Sequence, residues 1–303
     1  MTQKKILDNV VGQISQIILG KELQIRLALT CLMARGHVLI EDVPGVGKTT
    51  LAHVLARVLG LSFQRIQFTS DLLPADIIGV SIYDKEDGQF KFHAGPIFAQ
   101  MVLADEVNRA TPKTQSALLE AMEEHQITVE GETRPLPVPF FVVATQNPLH
   151  QIGTFPLPES QLDRFMMRIA LGYPEHGTER ELLKGRDRRE MIAEINQSIT
   201  PKQLLEIQQA VPKVQVSDPL IDYLQAILEH SRQSQNYRVG LSPRAGLAIR
   251  NCAQAYALMQ GRDHVIPEDV QIVLPGVVGH RLVSEQQNTD ALVNQLIEAV
   301  PIP

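Results

Sequence analysis

The run Glu41-Asp42-Val43-Pro44-Gly45-Val46-Gly47-Lys48-Thr49, continued by Thr50, combines two glycines, a lysine and two hydroxyls. Gly45 and Gly47 allow successive backbone N–H groups to turn inward around phosphate oxygens, and a helix beginning near Lys48 adds its positive end. The Lys48 ammonium then reaches β- and γ-phosphates, and the Thr49 hydroxyl can hold Mg²⁺. The spacing is that of a phosphate-binding loop except at Asp42, where the strict pattern has glycine. A chance glycine-rich turn would not sit between a strand and a helix, as this one does.

Two further groups fit hydrolysis of a bound nucleotide. Met101-Val102-Leu103-Ala104-Asp105-Glu106 is an apolar strand ending in two acids. Such a strand delivers carboxylates to the carboxyl edge of a parallel sheet. Asp105 would order the Mg²⁺ shell through water, while Glu106 would orient and deprotonate the attacking water. Acids also end strands as plain helix caps, so this reading leans on the upstream loop. A third strand, Phe140–Ala144, ends in Thr145-Gln146-Asn147-Pro148. The Asn147 amide at its tip can position the same water, against the alternative of an ordinary Asn-Pro turn. Asn-Lys-x-Asp, which specifies guanine, is absent and counts against a GTPase.

Three arginines occupy telling positions. Arg164, in Leu162-Asp163-Arg164-Phe165, follows a short helix at the rim of the expected site and faces outward. There it can reach a neighbouring subunit's nucleotide and neutralise charge building on the γ-phosphate, or simply pair with Asp163 or Glu159 at the surface. Arg244 follows Ser242-Pro243 in the first turn of a helix, where a cation opposes the helix dipole. A nearby anion such as a phosphate explains it better than solvent does. Arg109 follows the acidic pair directly and is a further candidate for contact between subunits.

The elements that must position these groups alternate between strand-like and helix-like in the first half, the pattern of a parallel sheet flanked by helices. Helices are expected over Lys21–Arg35 and Lys48–Leu59. Strands are expected over His37–Ile40, Phe63–Phe68, Gln100–Ala104, Phe140–Thr145 and Met166–Leu171. Ser81–His93, around Asp87-Gly88, and Ile127–Pro137, around Gly131, read as inserted β-hairpins. Residues Glu175–Gln197 are charge-rich and read as an exposed helical connector. From Pro201 onward only helix patterns follow, with start signals at Ser217-Asp218-Pro219, Ser242-Pro243 and Pro267-Glu268-Asp269. The expected organisation is an α/β nucleotide-binding domain over residues 1–174, a connector over 175–200 and a smaller all-helical lid over 201–303.

Composition narrows the setting. The 303 residues are 44% hydrophobic and 20% charged, as in ordinary globular proteins. No apolar run forms a signal peptide or membrane span, so a cytoplasmic protein is expected. Cys31 and Cys252 lack a CxxC partner and read as buried reduced thiols. The nine histidines form no ligand-spaced cluster that would suggest structural zinc. A net charge of −6 disfavours nucleic acid as the main partner.

Taken together, these motifs resemble an AAA+ ATPase, and within that superfamily the MoxR family. The likeness runs through Glu41–Thr49, Phe68-Thr69-Ser70-Asp71-Leu72-Leu73-Pro74, Asp105-Glu106-Val107-Asn108-Arg109-Ala110 and Gln115–Met122. It continues through Ala144–Pro148, Leu157–Phe165 and Ser242-Pro243-Arg244-Ala245. The resemblance implies that Asn147 is sensor 1, Arg164 the arginine finger and Arg244 sensor 2. It makes Ser81–His93 the helix-2 insert and Ile127–Pro137 the hairpin before sensor 1. Asp42 is usual in this family. Ile18-Leu19-Gly20-Lys21 resembles the stretch lining the adenine pocket, although a plain helix-start loop reads almost as well. The family further implies ATP and Mg²⁺ as cofactors and a homo-oligomer, a hexameric ring. It implies a chaperone-like role on a protein client, often alongside a partner with a von Willebrand factor A domain. A nucleic-acid motor of the same fold and a magnesium-chelatase-like metal-insertion subunit are the alternatives. A σ54-type transcriptional activator lacks support because its Gly-Ala-Phe-Thr-Gly-Ala loop is missing. A non-hydrolysing P-loop module leaves Glu106 without a purpose.

Overall fold

The computed structural model describes residues 3–147, 153–282 and 289–302. Helices α1 (Gln3–Ser15) and α2 (Glu22–Met33) lead into strand β1 (Val38–Glu41), helix α3 (Lys48–Val58) and strand β2 (Phe63–Gln67). The short helix α4 (Pro74–Ile78) opens a hairpin of β3 (Gly79–Asp84) and β4 (Gln89–Ala94). Strand β5 (Met101–Asp105) and helix α5 (Pro112–Glu124) follow, then a second hairpin of β6 (Gln126–Val129) and β7 (Glu132–Pro135). Strand β8 (Phe141–Gln146), helix α6 (Glu159–Leu162) and strand β9 (Met167–Ile169) complete the α/β part. Among the described residues that follow, the α-helices are α7 (His176–Lys184), α8 (Arg188–Glu194), α9 (Pro201–Ala210), α10 (Asp218–Gln233), α11 (Pro243–Met259), α12 (Pro267–Val278) and α13 (Thr289–Ala299).

Five strands form one parallel sheet in the order β2-β5-β8-β1-β9. The central strands β5 and β8 are buried throughout, as expected for strands covered on both faces. Strand β2 departs from that expectation because it is an edge: Gln64, Arg65 and Gln67 are exposed and only Ile66 is buried. Both expected hairpins form and touch each other, with the Arg134 guanidinium 4.2 Å from the centre of the Phe92 ring.

Residues 3–15, which precede the first helix expected from the sequence, form α1. Leu7, Val10, Val11 and Ile14 recur at helical spacing and are buried. The polar residues that interrupt an apolar run there, Asp8, Asn9 and Gln13, are the outer part of an amphipathic helix.

The later helices start where the signals place them. Ser242 caps α11 by accepting the Ala245 N–H at 3.2 Å, and α12 begins at Pro267. These helices do not stand apart from the sheet. One apolar cluster runs from Leu7 and Ile25 through Val143 and Met167 to Ile249 and Val273. Gly276 of α12 lies so close to β9 that a Cβ there would meet the Met167 side chain at 2.8 Å. Cys31 and Cys252 are buried free thiols within this cluster, and burial pushes the Cys252 thiol up to about 12.

Candidate active site

The strand order brings the candidate groups together. Strands β5, β8 and β1 are neighbours, and their carboxyl ends carry Asp105-Glu106, Thr145 to Asn147, and the phosphate loop. This is the edge where ligands bind in open α/β sheets.

Within the loop, Gly45 (φ 86°) and Gly47 (φ 99°) occupy backbone conformations that side-chain-bearing residues rarely adopt. A Cβ at either would meet nothing within 4 Å, so the loop opens onto free space. Gly47 caps α3, and Lys48, Thr49 and Thr50 form its first turn. Lys48 Nζ donates to the carbonyls of Asp42 (2.5 Å) and Val43 (3.0 Å) and to Asn147 Oδ1 (3.3 Å). Burial lowers its pKa, opposed by the charges of Asp42, Asp105 and Glu106. Among the remaining loop residues, Pro44 is exposed, Val43 is half-buried and Val46 packs against the apolar core.

The Asp42 carboxylate accepts two backbone N–H groups. Oδ1 accepts the Val43 N–H at 2.8 Å and Oδ2 the Gly172 N–H at 2.6 Å. It braces the loop against the segment leaving β9, work that a glycine could not do. Lys21 grips the same segment, donating to the Tyr173 carbonyl at 2.8 Å. Gly20 (φ 67°) abuts the α7 residue Thr178, so Leu19 and Gly20 lie beside the strand exit that Asp42 holds.

The acidic pair is tightly ordered. Thr145 Oγ1 donates to Asp105 Oδ1 at 2.5 Å and accepts the Glu106 N–H at 2.8 Å. Asp105 Oδ2 lies 3.4 Å from the Thr49 hydroxyl and receives Arg65 Nη2 at 2.6 Å. Glu106 has left-handed backbone (φ 57°, ψ 48°), uncommon for a non-glycine residue and typical of functional sites. Its Oε1 accepts from Asn147 Nδ2 at 2.9 Å. Its Oε2 accepts from Gln67 Nε2 at 3.0 Å and pairs with Arg109 Nε at 3.1 Å. Asn147 thus links Lys48 to Glu106, while Pro148 lies outside the described residues. Buried Asn108 supports this tip by donating to the Asn147 carbonyl at 3.3 Å.

Arg65, Gln67 and Thr145 received no role from the sequence. Arg65 and Gln67 stand two apart on one face of β2, a spacing that puts two polar side chains on the same side of the strand. Arg109, expected at a subunit contact, pairs within its own chain with Glu106.

Arg164 and Arg244 are not brought to the phosphate loop. Arg164 Nη1 donates to the Leu119 carbonyl at 2.6 Å, and Arg244 pairs with Glu123 at the end of α5. Both line one open cavity of about 270 Å³, whose walls include none of residues 41–50. The cavity that Arg244 lines is thus separate from the loop residues of its own chain. Helix α11, which carries it, packs on α1 and α2.

Residues 37–167 match the model of the ATPase family associated with various cellular activities (AAA), and residues 229–300 match the AAA lid domain. The chain is 43% identical to protein YeaC of Bacillus subtilis, covering 98% of this chain and 95% of YeaC. It is 39% identical to chaperone MoxR1 of Mycobacterium tuberculosis, covering 98% of this chain and 82% of MoxR1. A crystal structure of a Cytophaga hutchinsonii protein assigned as an ATPase superposes with a TM-score of 0.89 at 35% identity, covering 99% of this chain and 96% of that one. With matching motifs, fold and full-length relatives, the chain belongs to the MoxR family of AAA+ ATPases.

Proposed function

We propose that this protein is an oligomeric Mg-ATP hydrolase that remodels a protein client during maturation or assembly of a complex. The observation that carries the reading is the linked set Lys48–Asn147–Glu106–Thr145–Asp105–Thr49 at one sheet edge. It joins a phosphate-binding cation, a metal-holding hydroxyl and carboxylate, and a candidate base.

The residues fit the nucleotide and its metal. Space is open above Gly45 and Gly47, and the Lys48 ammonium contacts neutral acceptors of its own loop, which charged phosphate oxygens outcompete. Thr49 and Asp105 converge hard oxygen donors of the kind Mg²⁺ takes. When bound, Mg²⁺ neutralises phosphate charge. Glu106 accepts a proton from the attacking water at a carboxylate oxygen. Gln67 and Arg109 engage Oε2 and Asn147 engages Oε1, and a carboxylate oxygen has a second lone pair with which it can take that proton. Asn147, touching both Lys48 and Glu106, is suited to align that water with the γ-phosphate.

The cavity shared by Arg164 and Arg244 supports a site completed between copies. Two guanidiniums together, away from their own phosphate loop, suit the nucleotide of an adjacent subunit, as in a hexameric ring. A protein client, a partner with a von Willebrand factor A domain and a cytoplasmic location belong to the same proposal. Among the described residues no helix is long and apolar enough to cross a membrane. The test is ATPase activity and oligomer mass with and without Mg-ATP, client protein or DNA. Mg-dependent hydrolysis by an assembled oligomer is expected. Activity in a strict monomer, or strong salt-sensitive stimulation by DNA, overturns the assembly or the client reading respectively.

A further inference from the structure

The cavity that holds Arg164 contains a further cation, Arg281, just beyond α12. Only 7% of its side chain reaches solvent. Arg281 Nε donates to Asp163 Oδ1 at 2.6 Å. Nη2 donates to the carbonyls of Asp163 (3.1 Å) and Phe165 (2.9 Å), and Nη1 to those of Met166 (3.2 Å) and Val277. The preceding residue, buried His280, meets the same Phe165 carbonyl through Nε2 at 2.9 Å. The acceptors outside α12 all lie in Asp163–Met166, on both sides of Arg164, and none belongs to Arg164 itself.

An ordinary ion pair would engage the Asp163 carboxylate alone. Here a rigid fork of donors also holds three main-chain carbonyls of Asp163–Met166 and that of Val277, which fixes the path of the chain against α12. The segment needs this. It lies after α6 and before β9, so helix and sheet ladders leave these part-buried carbonyls to other donors.

We infer that Arg281, assisted by His280, is a positioning residue for Arg164, so that the helical region sets the direction in which the arginine finger is presented to the adjacent subunit. This rests on the reading that Arg164 acts across a subunit interface. Displacement of α12 then displaces the finger, because the two are joined by five hydrogen bonds from the His280–Arg281 pair to Asp163–Met166.

The test is a complementation assay of ATP turnover in co-assembled oligomers. Arg281→Gln alone is expected to lose turnover on the order of tenfold or more, as misplacement of a catalytic group does, with KM for ATP changed by less than about threefold. Mixed with Glu106→Gln copies, which have intact arginines and a dead site, it should exceed the sum of the two separate activities. The double variant Arg164→Ala/Arg281→Gln should turn over no slower than Arg164→Ala. Wild-type turnover in Arg281→Gln, absence of rescue, or an additive loss in the double variant overturns the assignment. If Arg164→Ala alone keeps wild-type turnover, the interface reading has failed and the Arg281 assignment falls with it. Should Arg281→Gln not assemble, Asp163→Asn, which keeps the carbonyl contacts, carries the same assay. It should lose turnover by about threefold and be rescued in the same way; wild-type turnover or no rescue there overturns the proposal equally.

Discussion

Thr145 and Asp105 are joined by a 2.5 Å hydrogen bond, and the same threonine oxygen receives the Glu106 N–H. One hydroxyl therefore fixes the metal-side carboxylate and the left-handed backbone of the candidate base. Thr145→Val keeps the shape and removes both contacts. It should cost about 2 kcal/mol by leaving buried polar groups unpaired, and lower turnover at least about tenfold. Thr145→Ser should restore most of both. Denaturant unfolding and steady-state kinetics check this, and a fully active Thr145→Val protein would remove the hydroxyl from the site.

Lys48 and Glu106 should separate binding from chemistry. Lys48→Ala removes the cation facing the phosphates and should abolish measurable ATP binding by calorimetry. Glu106→Gln should retain binding and slow hydrolysis by about 10²–10⁴-fold. Tight ATP binding by the first variant, or normal turnover by the second, would contradict the assigned roles.

Arg244 should behave like Arg164 rather than like a residue of its own nucleotide site. Arg244→Ala is expected to lower turnover by on the order of 10²-fold while ATP affinity in dilute, unassembled protein is unchanged. Co-assembly with Glu106→Gln should recover activity. Failure to recover, together with weakened ATP binding in the unassembled protein, would return Arg244 to its own chain's site.

His37 predicts an acid-sensitive fold. Its Nδ1 accepts the Val142 N–H at 2.9 Å, Nε2 meets the Met122 carbonyl, and burial lowers its pKa from 6.5 to about 4. In the unfolded chain the ring gains its proton below pH 6.5; in the folded chain it does so only near pH 4. The unfolded state therefore binds more protons between these values, and stability falls as pH drops through that window. The loss reaches about 3 kcal/mol and levels off below about pH 4. Unfolding free energies of wild type and His37→Gln across pH 7 to 4 should converge as pH falls, and parallel curves would refute the assignment.

The phosphate loop, the acidic strand and the Asn147 tip were legible because each is a short run whose chemistry and strand context lie together in sequence. The five-stranded sheet followed from alternating apolar runs, and α11 and α12 from their Ser-Pro and Pro-Glu-Asp starts. What escaped has a common cause. Arg65, Gln67 and Thr145 gain their roles only from the strand order, which places β2 beside β5 and β5 beside β8. The destination of Arg244 depends on α11 packing against α1 and α2, contacts more than 200 residues apart that no local pattern encodes. Helix α1 is legible only through the helical spacing of Leu7, Val10, Val11 and Ile14, since its polar residues leave no continuous apolar run.

The brace between Asp42 and Gly172 has a consequence for biosynthesis. The phosphate loop is spelled in nine consecutive residues, yet one of the contacts that shapes it lies 130 positions downstream. A ribosome-bound chain that has already exposed β1 and α3 cannot make that contact until β9 has emerged and added its parallel edge to the sheet. Nascent domains fold as units, and long-range closures come last. The Asp42 brace is therefore completed only after β9 has been synthesised, so the loop takes its final shape late in the synthesis of the α/β part.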